Sequence, residues 1–107
     1  MEKYGYIRVS AKDQNPERQF IALQEYQIQQ RNIYVDRMSG SNFLRPQYRK
    51  MLLRLKRGDL MIIKSIDRLG RNYGEILEQW RTITKEIGAN IRVLDMPLLN
   101  TDSCHAD

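Results

Sequence analysis

Two short segments of the sequence carry residue types that could attack a phosphodiester. Residues 6–10 read Tyr-Ile-Arg-Val-Ser, which gives a hydroxyl two positions after a guanidinium, and residues 67–71 read Asp-Arg-Leu-Gly-Arg, which gives two guanidiniums beside a carboxylate. A serine hydroxyl needs activation or a strongly stabilised transition state. Arginine suits phosphate because it stays charged and its planar donors match phosphate oxygens. If folding brings the segments together, they predict attack on a phosphodiester without a metal.

Each of these residues also has a simpler interpretation. A serine that follows a strand, such as Ser10, is most often a turn or cap residue. Arg8 lies in a predicted strand, where a charged side chain usually forms a salt bridge. Asp67 and Arg68 could pair with each other and cap the helix that follows. The catalytic interpretation therefore depends on whether these side chains converge.

Hydrophobic periodicity predicts the elements that must position these side chains. Apolar runs predict four strands, at residues 3–9, 33–35, 60–66 and 91–94. Apolar spacing and capping signals predict three helices, from Asn15 to about Arg31, over residues 48–55 with Gly58 as terminator, and over residues 73–87 with Gly88 as terminator. Helices between short strands predict an α/β fold. We expect a three-layer sandwich with a central, mainly parallel sheet of four or five strands and helices on both faces.

The predicted topology brings candidate residues to one edge of the sheet. Ser10 follows the first strand and Asp36 the second, Asp67 and Arg68 follow the third, and Asp95 follows the fourth. The carboxyl ends of parallel strands meet at one edge, which is where α/β proteins bind ligands. Three carboxylates there could instead hold Mg²⁺, as in a metal-dependent nuclease or phosphatase. That alternative leaves the serine without a role, and two of the aspartates adjoin an arginine.

The composition favours a small basic domain. The chain has 107 residues, a net charge of +5 and a pI near 9.6, which fits one domain. Residues 45–57 hold six basic residues and no acid, which indicates either a polyanionic partner such as DNA or a solvated helix face. A non-enzymatic domain that contacts DNA or a protein through this helix is a third interpretation.

The sequence carries no signal for a metal, a membrane or export. Its only cysteine and only histidine, Cys104 and His105, are adjacent near the end of the chain, which argues against a transition-metal site and leaves no internal disulfide. The longest apolar runs, residues 20–23 and 60–63, are too short to span a bilayer. Met1 leads directly into a strand pattern rather than a signal peptide. We expect no metal, no cofactor, no membrane contact and a cytoplasmic location.

In their order and spacing, these motifs resemble the catalytic domain of serine recombinases, the resolvase/invertase family of site-specific DNA recombinases. The resemblance covers residues 4 to about 95. It is carried by residues 6–10, Gln14, Gln19, Asp36, residues 39–41, Arg45, residues 58–59 and residues 67–71. One departure is Arg54, where several resolvases carry lysine, a cation of different geometry.

The resemblance implies a mechanism and a set of roles. Ser10 attacks a DNA phosphodiester, forms a 5′-phosphoseryl link and releases a 3′-hydroxyl, without a metal or nucleotide. Arg8, Arg68 and Arg71 bind the scissile phosphate. Asp67 assists with the proton, and Arg45 and Gln19 support the site. The residues expected to contact DNA are Tyr6, Gln14, Arg49, Lys50 and Arg54.

The resemblance also implies partners and missing parts. Members of the family continue with a long dimerisation helix and a DNA-binding domain, and they exchange strands as a tetramer. We expect residues 1–99 to form the catalytic domain and residues 100–107 a polar, poorly ordered tail that precedes those parts. The chain alone is expected to be inactive, and the longer protein to bind DNA as a homodimer and tetramer at the nucleoid of a prokaryotic cell.

Overall fold

A parallel sheet of four strands forms the centre of the domain. The computed structural model describes residues 1–9, 17–37 and 45–101. The strands are β1 (Lys3–Val9), β2 (Ile33–Arg37), β3 (Leu60–Ile63) and β4 (Asn90–Val93). Their order across the sheet is β2-β1-β3-β4, and each neighbouring pair is parallel. The predicted α/β class and parallel sheet are therefore confirmed.

Helices cover both faces of the sheet, as predicted. They are α1 (Glu17–Gln24), α2 (Pro46–Arg54) and α3 (Tyr73–Arg81), and α3 continues as a π-helical segment, Thr82–Ile87. On one face, Met51 of α2 and Ile83 of the π-helical segment share a core with Tyr6 of β1. On the other face, Leu23 of α1 shares a core with Ile7. Successive residues of β1 therefore enter opposite layers, as the pleat of a strand requires.

Two elements end earlier than their apolar patterns predict. α1 ends at Gln24 rather than near Arg31, because the chain turns and Gln27 takes a positive φ of 57°, which a right-handed helix does not accommodate. β3 ends at Ile63 rather than three residues later, because its pairing with both neighbouring strands stops there. A single 3-10 turn, Ile66–Arg68, follows it. This turn, rather than a strand end, carries part of the second motif.

Of the two glycines predicted to terminate helices, one does so. Gly88, with a φ of 84°, follows the π-helical segment and ends it as predicted. α2 ends at Arg54, so Gly58 does not terminate it as predicted. Gly58, with a φ of 88°, lies instead in the turn that leads to β3. In the described part of the chain, no helix has both the length and the apolar character needed to cross a membrane.

Two residues assigned by sequence to the polar tail contact β4. The amide of Val93 donates to Asn100 Oδ1 at 2.7 Å, and the amide of Ile91 donates to Thr101 Oγ1 at 2.8 Å. Because β4 is an outer strand, these bonds cover part of an exposed sheet edge. Residues 102–107, and the predicted helix start at Asn15, lie outside the described residues.

Candidate active site at the carboxyl edge of the sheet

β1 leads to the carboxyl edge of the sheet. The strand ends at Val9, one residue before Ser10. Ser10 and Gln14 lie outside the described residues, so their roles stay predictions. The four parallel strands end at this same edge. The described side chains around the end of β1 are therefore the ones to compare with the predicted roles.

Arg8 and Arg68 lie close to each other at the end of β1. Burial lowers the pKa of the half-buried Arg8 guanidinium, and the positive charge of Arg68 lowers it further, while Asp67 acts in the opposite direction. Two cations repel each other most where water is partly excluded. An anion between them would relieve this repulsion. The pair is therefore suited to bind a phosphate.

Arg68 also presents an unsatisfied donor. Its side chain is 17% exposed, and its Nη1 lies 3.9 Å from Oδ1 of Asp67. Among the residues that the structure describes, its buried Nε has no hydrogen-bond partner. Leaving a buried donor unpaired is costly, and a ligand oxygen would satisfy it. The carboxylate of Asp67 is exposed beside it and accepts a hydrogen bond from the hydroxyl of Ser65.

Arg45 connects this pair of cations to α2. Only 7% of Arg45 is exposed. Its guanidinium carbon lies 4.0 Å from the centre of the Tyr48 ring, and its Nη1 donates to the carbonyl oxygen of Arg68 at 3.3 Å. The electron-rich face of the ring stabilises the cation. Arg45 also contributes to the lowered pKa of Arg8, so three guanidiniums occupy one neighbourhood.

Asp36 is buried and anchors the N-terminus of α2. Its Oδ2 accepts the hydroxyl of Tyr6 at 2.9 Å and the amide of Tyr48 at 2.9 Å, and its Oδ1 accepts the amide of Gln47 at 3.0 Å. A carboxylate in this position satisfies amides that lack partners within the helix. Tyr6 has no exposed surface, so the predicted contact of Tyr6 with DNA does not fit this structure. Its hydroxyl instead positions Asp36.

Gln19 is buried against the end of β1. Its Nε2 donates to the carbonyl oxygen of Arg8 at 3.5 Å, a long hydrogen bond. Its buried Oε1 has no hydrogen-bond partner within the described ranges. Gln19 therefore contacts the backbone rather than the guanidinium of Arg8, which is compatible with the supporting role that remains predicted for it.

Arg71 is paired with Glu75. Its Nε donates to Oε1 at 3.2 Å and its Nη2 to Oε2 at 3.1 Å, while its amide donates to Oε1 at 2.8 Å. The spacing of Arg68 and Arg71 predicts that they point the same way, but only Arg71 lines the cavity between α2 and α3. Arg68 belongs to the 3-10 turn that ends before Arg71, so the two directions are set separately. The structure thus brings together Arg8, Arg45 and Arg68, with Arg71 turned to a neighbouring carboxylate.

The predicted DNA contacts on α2 fall into two groups. Arg49 and Lys50 are exposed near the start of the helix. Arg54, in its last turn, donates from Nη1 to the hydroxyl of Tyr34 at 2.6 Å, and its guanidinium carbon lies 6.0 Å from the centre of the Tyr4 ring. Arg54 therefore packs at the C-terminal end of α2, away from the carboxyl edge of the sheet. Its contact with DNA stays a prediction.

The three aspartates of the magnesium alternative have separate partners. Asp36 holds the N-terminus of α2, Asp67 accepts from Ser65, and Asp95 pairs with Lys64 at 3.3 Å. In the part of the chain that the structure describes, no three acidic, histidine or cysteine side chains form a group that could hold a metal ion. The described side of the site offers cations, rather than converging carboxylates, to a phosphate.

Two residues of this region were not singled out from the sequence. Glu75 lies in the first turn of α3, where an acid is favourable, and its amide donates to Oδ1 of the N-cap Asn72 at 2.9 Å. Its position four residues after Arg71 was a usable signal, because such pairs can face each other. The apolar spacing over residues 48–55 places Tyr48 on the apolar face of the second helix, and no local pattern indicates that its ring stacks on a guanidinium.

Residues 3–105 match a family model described as the resolvase N-terminal domain. The transposon Tn501 resolvase of Pseudomonas aeruginosa is 35% identical over 99 residues, which cover 92% of this chain and 50% of that protein. A resolvase of Clostridium perfringens is 38% identical over 97 residues, which cover 91% of this chain and 51% of that protein. The chain therefore spans about half the length of these relatives.

One solved structure shares the fold. The N-terminal catalytic domain of TP901-1 integrase superposes with a TM-score of 0.75, over 96% of this chain and 84% of that one. The sequence identity is 22%. The likeness therefore supports the three-dimensional arrangement of the elements.

Proposed function

The chain belongs to the resolvase N-terminal domain family of serine recombinases, and on this premise we propose that it is the catalytic part of a site-specific DNA recombinase. Its substrate is the phosphodiester backbone of DNA. The observation that carries the proposal is the cluster of Arg8, Arg45 and Arg68 at the end of β1, directly before Ser10. Arginine donors match phosphate oxygens, and among the described residues the buried Nε of Arg68 has no hydrogen-bond partner.

The proposed reaction exchanges one phosphate ester for another. The Oγ of Ser10 attacks phosphorus, a new Oγ–P bond forms, and the bond between phosphorus and the 3′ oxygen breaks. The 3′ oxygen leaves with a proton as a hydroxyl, and the DNA stays joined to the protein through its 5′ phosphate. Attack by a 3′-hydroxyl on this ester reverses the reaction and reseals the DNA. Asp67, exposed beside Arg68, is the proposed proton carrier.

The guanidiniums would stabilise the charge on the nonbridging oxygens. Arg8 and the unsatisfied Nε of Arg68 are suited to direct contact. Arg45 is fixed by Tyr48 and would act beside them. Preorganised donors of this kind lower the barrier because they need no reorientation during the reaction. Arg71 would join the site after leaving Glu75.

The longer protein is proposed to act as a dimer and tetramer on two DNA sites at the nucleoid. The relatives are about twice as long as the matched segment, so target recognition and strand exchange would depend on residues outside it. Gln14, Arg49 and Lys50 would contact the DNA backbone near the cleaved bond. Resolution, inversion and integration would all use this same chemistry.

Trapping of the covalent intermediate tests the proposal. Residues 1–101 would be joined to the dimerisation helix and DNA-binding domain of a resolvase relative and incubated with that relative's recombination site. We expect a protein–DNA adduct that requires Ser10, persists in EDTA and disappears in Ser10→Ala. Arg81→Gln, an exposed change on α3, serves as the matched control and should keep the adduct. An adduct with Ser10→Ala, or cleavage that EDTA abolishes, would show that the mechanism is wrong.

A further inference from the structure

A buried tyrosine connects α2 to α3 beside the arginine cluster. The hydroxyl of Tyr48, in the first turn of α2, donates to Oε1 of Gln79 on α3 at 2.7 Å. Tyr48 is only 1% exposed, and a tyrosine hydroxyl that is buried usually requires a hydrogen-bond partner. Gln79 supplies that partner, so the bond fixes the outer end of the Tyr48 side chain to α3.

The sheet holds the rest of Tyr48. Its amide donates to Oδ2 of Asp36 on β2 at 2.9 Å. The centre of its ring lies 4.9 Å from that of Tyr6 on β1, and the two ring planes meet at 61°, an edge-to-face geometry that is favourable for aromatic pairs. The backbone and one edge of the ring are therefore set by the sheet, whereas the direction of the hydroxyl is set by α3.

The direction of the Arg45 side chain depends on this ring. Arg45 is the N-cap of α2, and its φ of −138° and ψ of 76° lie outside the helical range. Its guanidinium carbon lies 4.0 Å from the centre of the Tyr48 ring, and its Nη1 donates to the carbonyl oxygen of Arg68 at 3.3 Å. Because a cation is attracted to the face of an aromatic ring, a change in the tilt of the ring would shift the guanidinium relative to Arg68.

We propose that Gln79 is a positioning residue of the active site, which fixes the ring of Tyr48 so that the ring holds Arg45 in place beside Arg68. The inference rests on the proposed function, because it assigns the position of Arg45 a value for the reaction. It extends the site onto α3 through two side chains that act on Arg45 rather than on the DNA. Small displacements of a charged group from its productive position are costly in rate.

The side-chain NMR signals of Arg45 test the positioning without DNA. Protons held over an aromatic ring are shifted upfield, so the nitrogen-15-labelled chain should show an upfield Nε–H signal for Arg45, assigned by its loss in Arg45→Lys. Gln79→Met removes the acceptor but keeps a side chain of similar length, and Tyr48→Phe removes the hydroxyl but keeps the ring. We expect both changes to move the Arg45 signal toward its ordinary position. Gln24→Met makes the same substitution at an exposed position on α1 and should leave the signal in place.

The rate of adduct formation tests the contribution to the reaction. In the chimeric protein at saturating DNA, Gln79→Met and Tyr48→Phe should each slow adduct formation about tenfold, the loss that accompanies removal of one hydrogen bond. The affinity for DNA should stay unchanged, because a group that acts only on the reacting geometry affects the rate and not the binding. Since both changes remove the same bond, the double variant should be no slower than either single variant. Gln24→Met should keep the full rate.

Three results would overturn the proposal. They are an Arg45 signal that neither variant moves, an adduct rate that neither variant lowers, and rate losses that multiply in the double variant, as separate effects on stability would. The dispersion of the amide spectrum shows whether each variant is folded. If Tyr48→Phe unfolds the domain, Gln79→Met still decides, because Gln79 is partly exposed. If the unsubstituted chimera forms no adduct, the proposed function is wrong, and the Arg45 signal still decides whether Gln79 positions that side chain.

Discussion

The hydroxyl of Tyr6 donates to Oδ2 of Asp36 at 2.9 Å, and this buried bond joins β1 to β2. The same carboxylate holds two amides at the start of α2. Arg45 lies immediately before that helix and reaches the carbonyl of Arg68. The bond between Tyr6 and Asp36 therefore sets the position of a helix that carries part of the arginine cluster.

Removal of the Tyr6 hydroxyl should destabilise the domain. Tyr6→Phe keeps the ring but leaves the buried Asp36 carboxylate with one donor fewer, which should lower the free energy of unfolding by about 1–3 kcal/mol. Tyr73→Phe removes the same atom from a residue that is 76% exposed and should change stability little. Denaturant unfolding of both variants measures the difference. Equal stability of the two variants would contradict a structural role for the bond.

Alkaline pH should destabilise the domain through buried phenols. Burial and, for Tyr6, the charge of Asp36 raise the pKa values of Tyr6 and Tyr48 well above the ordinary tyrosine range. Their contribution to stability is thus complete below the unfolded-state pKa of about 10, and it is lost as pH rises from there toward the raised folded-state pKa values. Each phenol should contribute a slope of up to about 1.4 kcal/mol per pH unit in guanidinium unfolding. Tyr6→Phe should reduce that slope, and an unchanged slope would refute its assignment to Tyr6.

Gly70 should not tolerate a side chain. A Cβ at this position would lie 2.6 Å from the Cβ of Glu75 and 2.9 Å from its backbone carbon, which belong to the first turn of α3. Gly70→Ala should therefore cost about 1–3 kcal/mol of stability through overpacking and should disturb the pairing of Arg71 with Glu75. Gly74→Ala is the matched control.

At Gly74 the nearest atom to an added Cβ would be 3.4 Å away, and the residue is helical. Gly74→Ala should stabilise the domain by up to about 1 kcal/mol, because alanine has the higher helix propensity. Thermal unfolding compares the two variants. The steric account would fail if Gly70→Ala proved as stable as Gly74→Ala.

A lysine substitution should make the reaction sensitive to pH at Arg8. Burial and the nearby Arg68 lower the pKa of Arg8, and the same surroundings would lower the pKa of a lysine from its ordinary value of about 10.4. The lysine amine must be protonated to bind phosphate, so adduct formation by Arg8→Lys should fall as pH rises through that lowered value. The unsubstituted chain, which keeps its guanidinium charged, should show no such loss over the same range. The measurement is the yield of covalent adduct against pH in the chimeric protein, and parallel pH profiles would contradict the expectation.

The sequence alone determined the order of elements and the edge at which the candidate site lies. β1 has the predicted bounds, and its residues Tyr6 and Ile7 enter opposite layers because alternation is a property of a single strand. The common edge follows from the parallel arrangement that short strands separated by helices require. Element lengths were less predictable, because α1 and β3 end where tertiary packing and pairing end.

Only the tertiary structure decided which side chains meet. Arg68 and Arg71 are three residues apart, yet one lies beside Arg8 and the other pairs with Glu75. Asp36 could have been a metal ligand by its place in the sequence, but three donors from β1 and α2 surround its carboxylate. Local patterns specify the backbone of each element. The direction and partner of a polar side chain depend on atoms that distant segments bring to it. Because burying an unpaired polar group is unfavourable, the side chain forms hydrogen bonds with those atoms that are within reach.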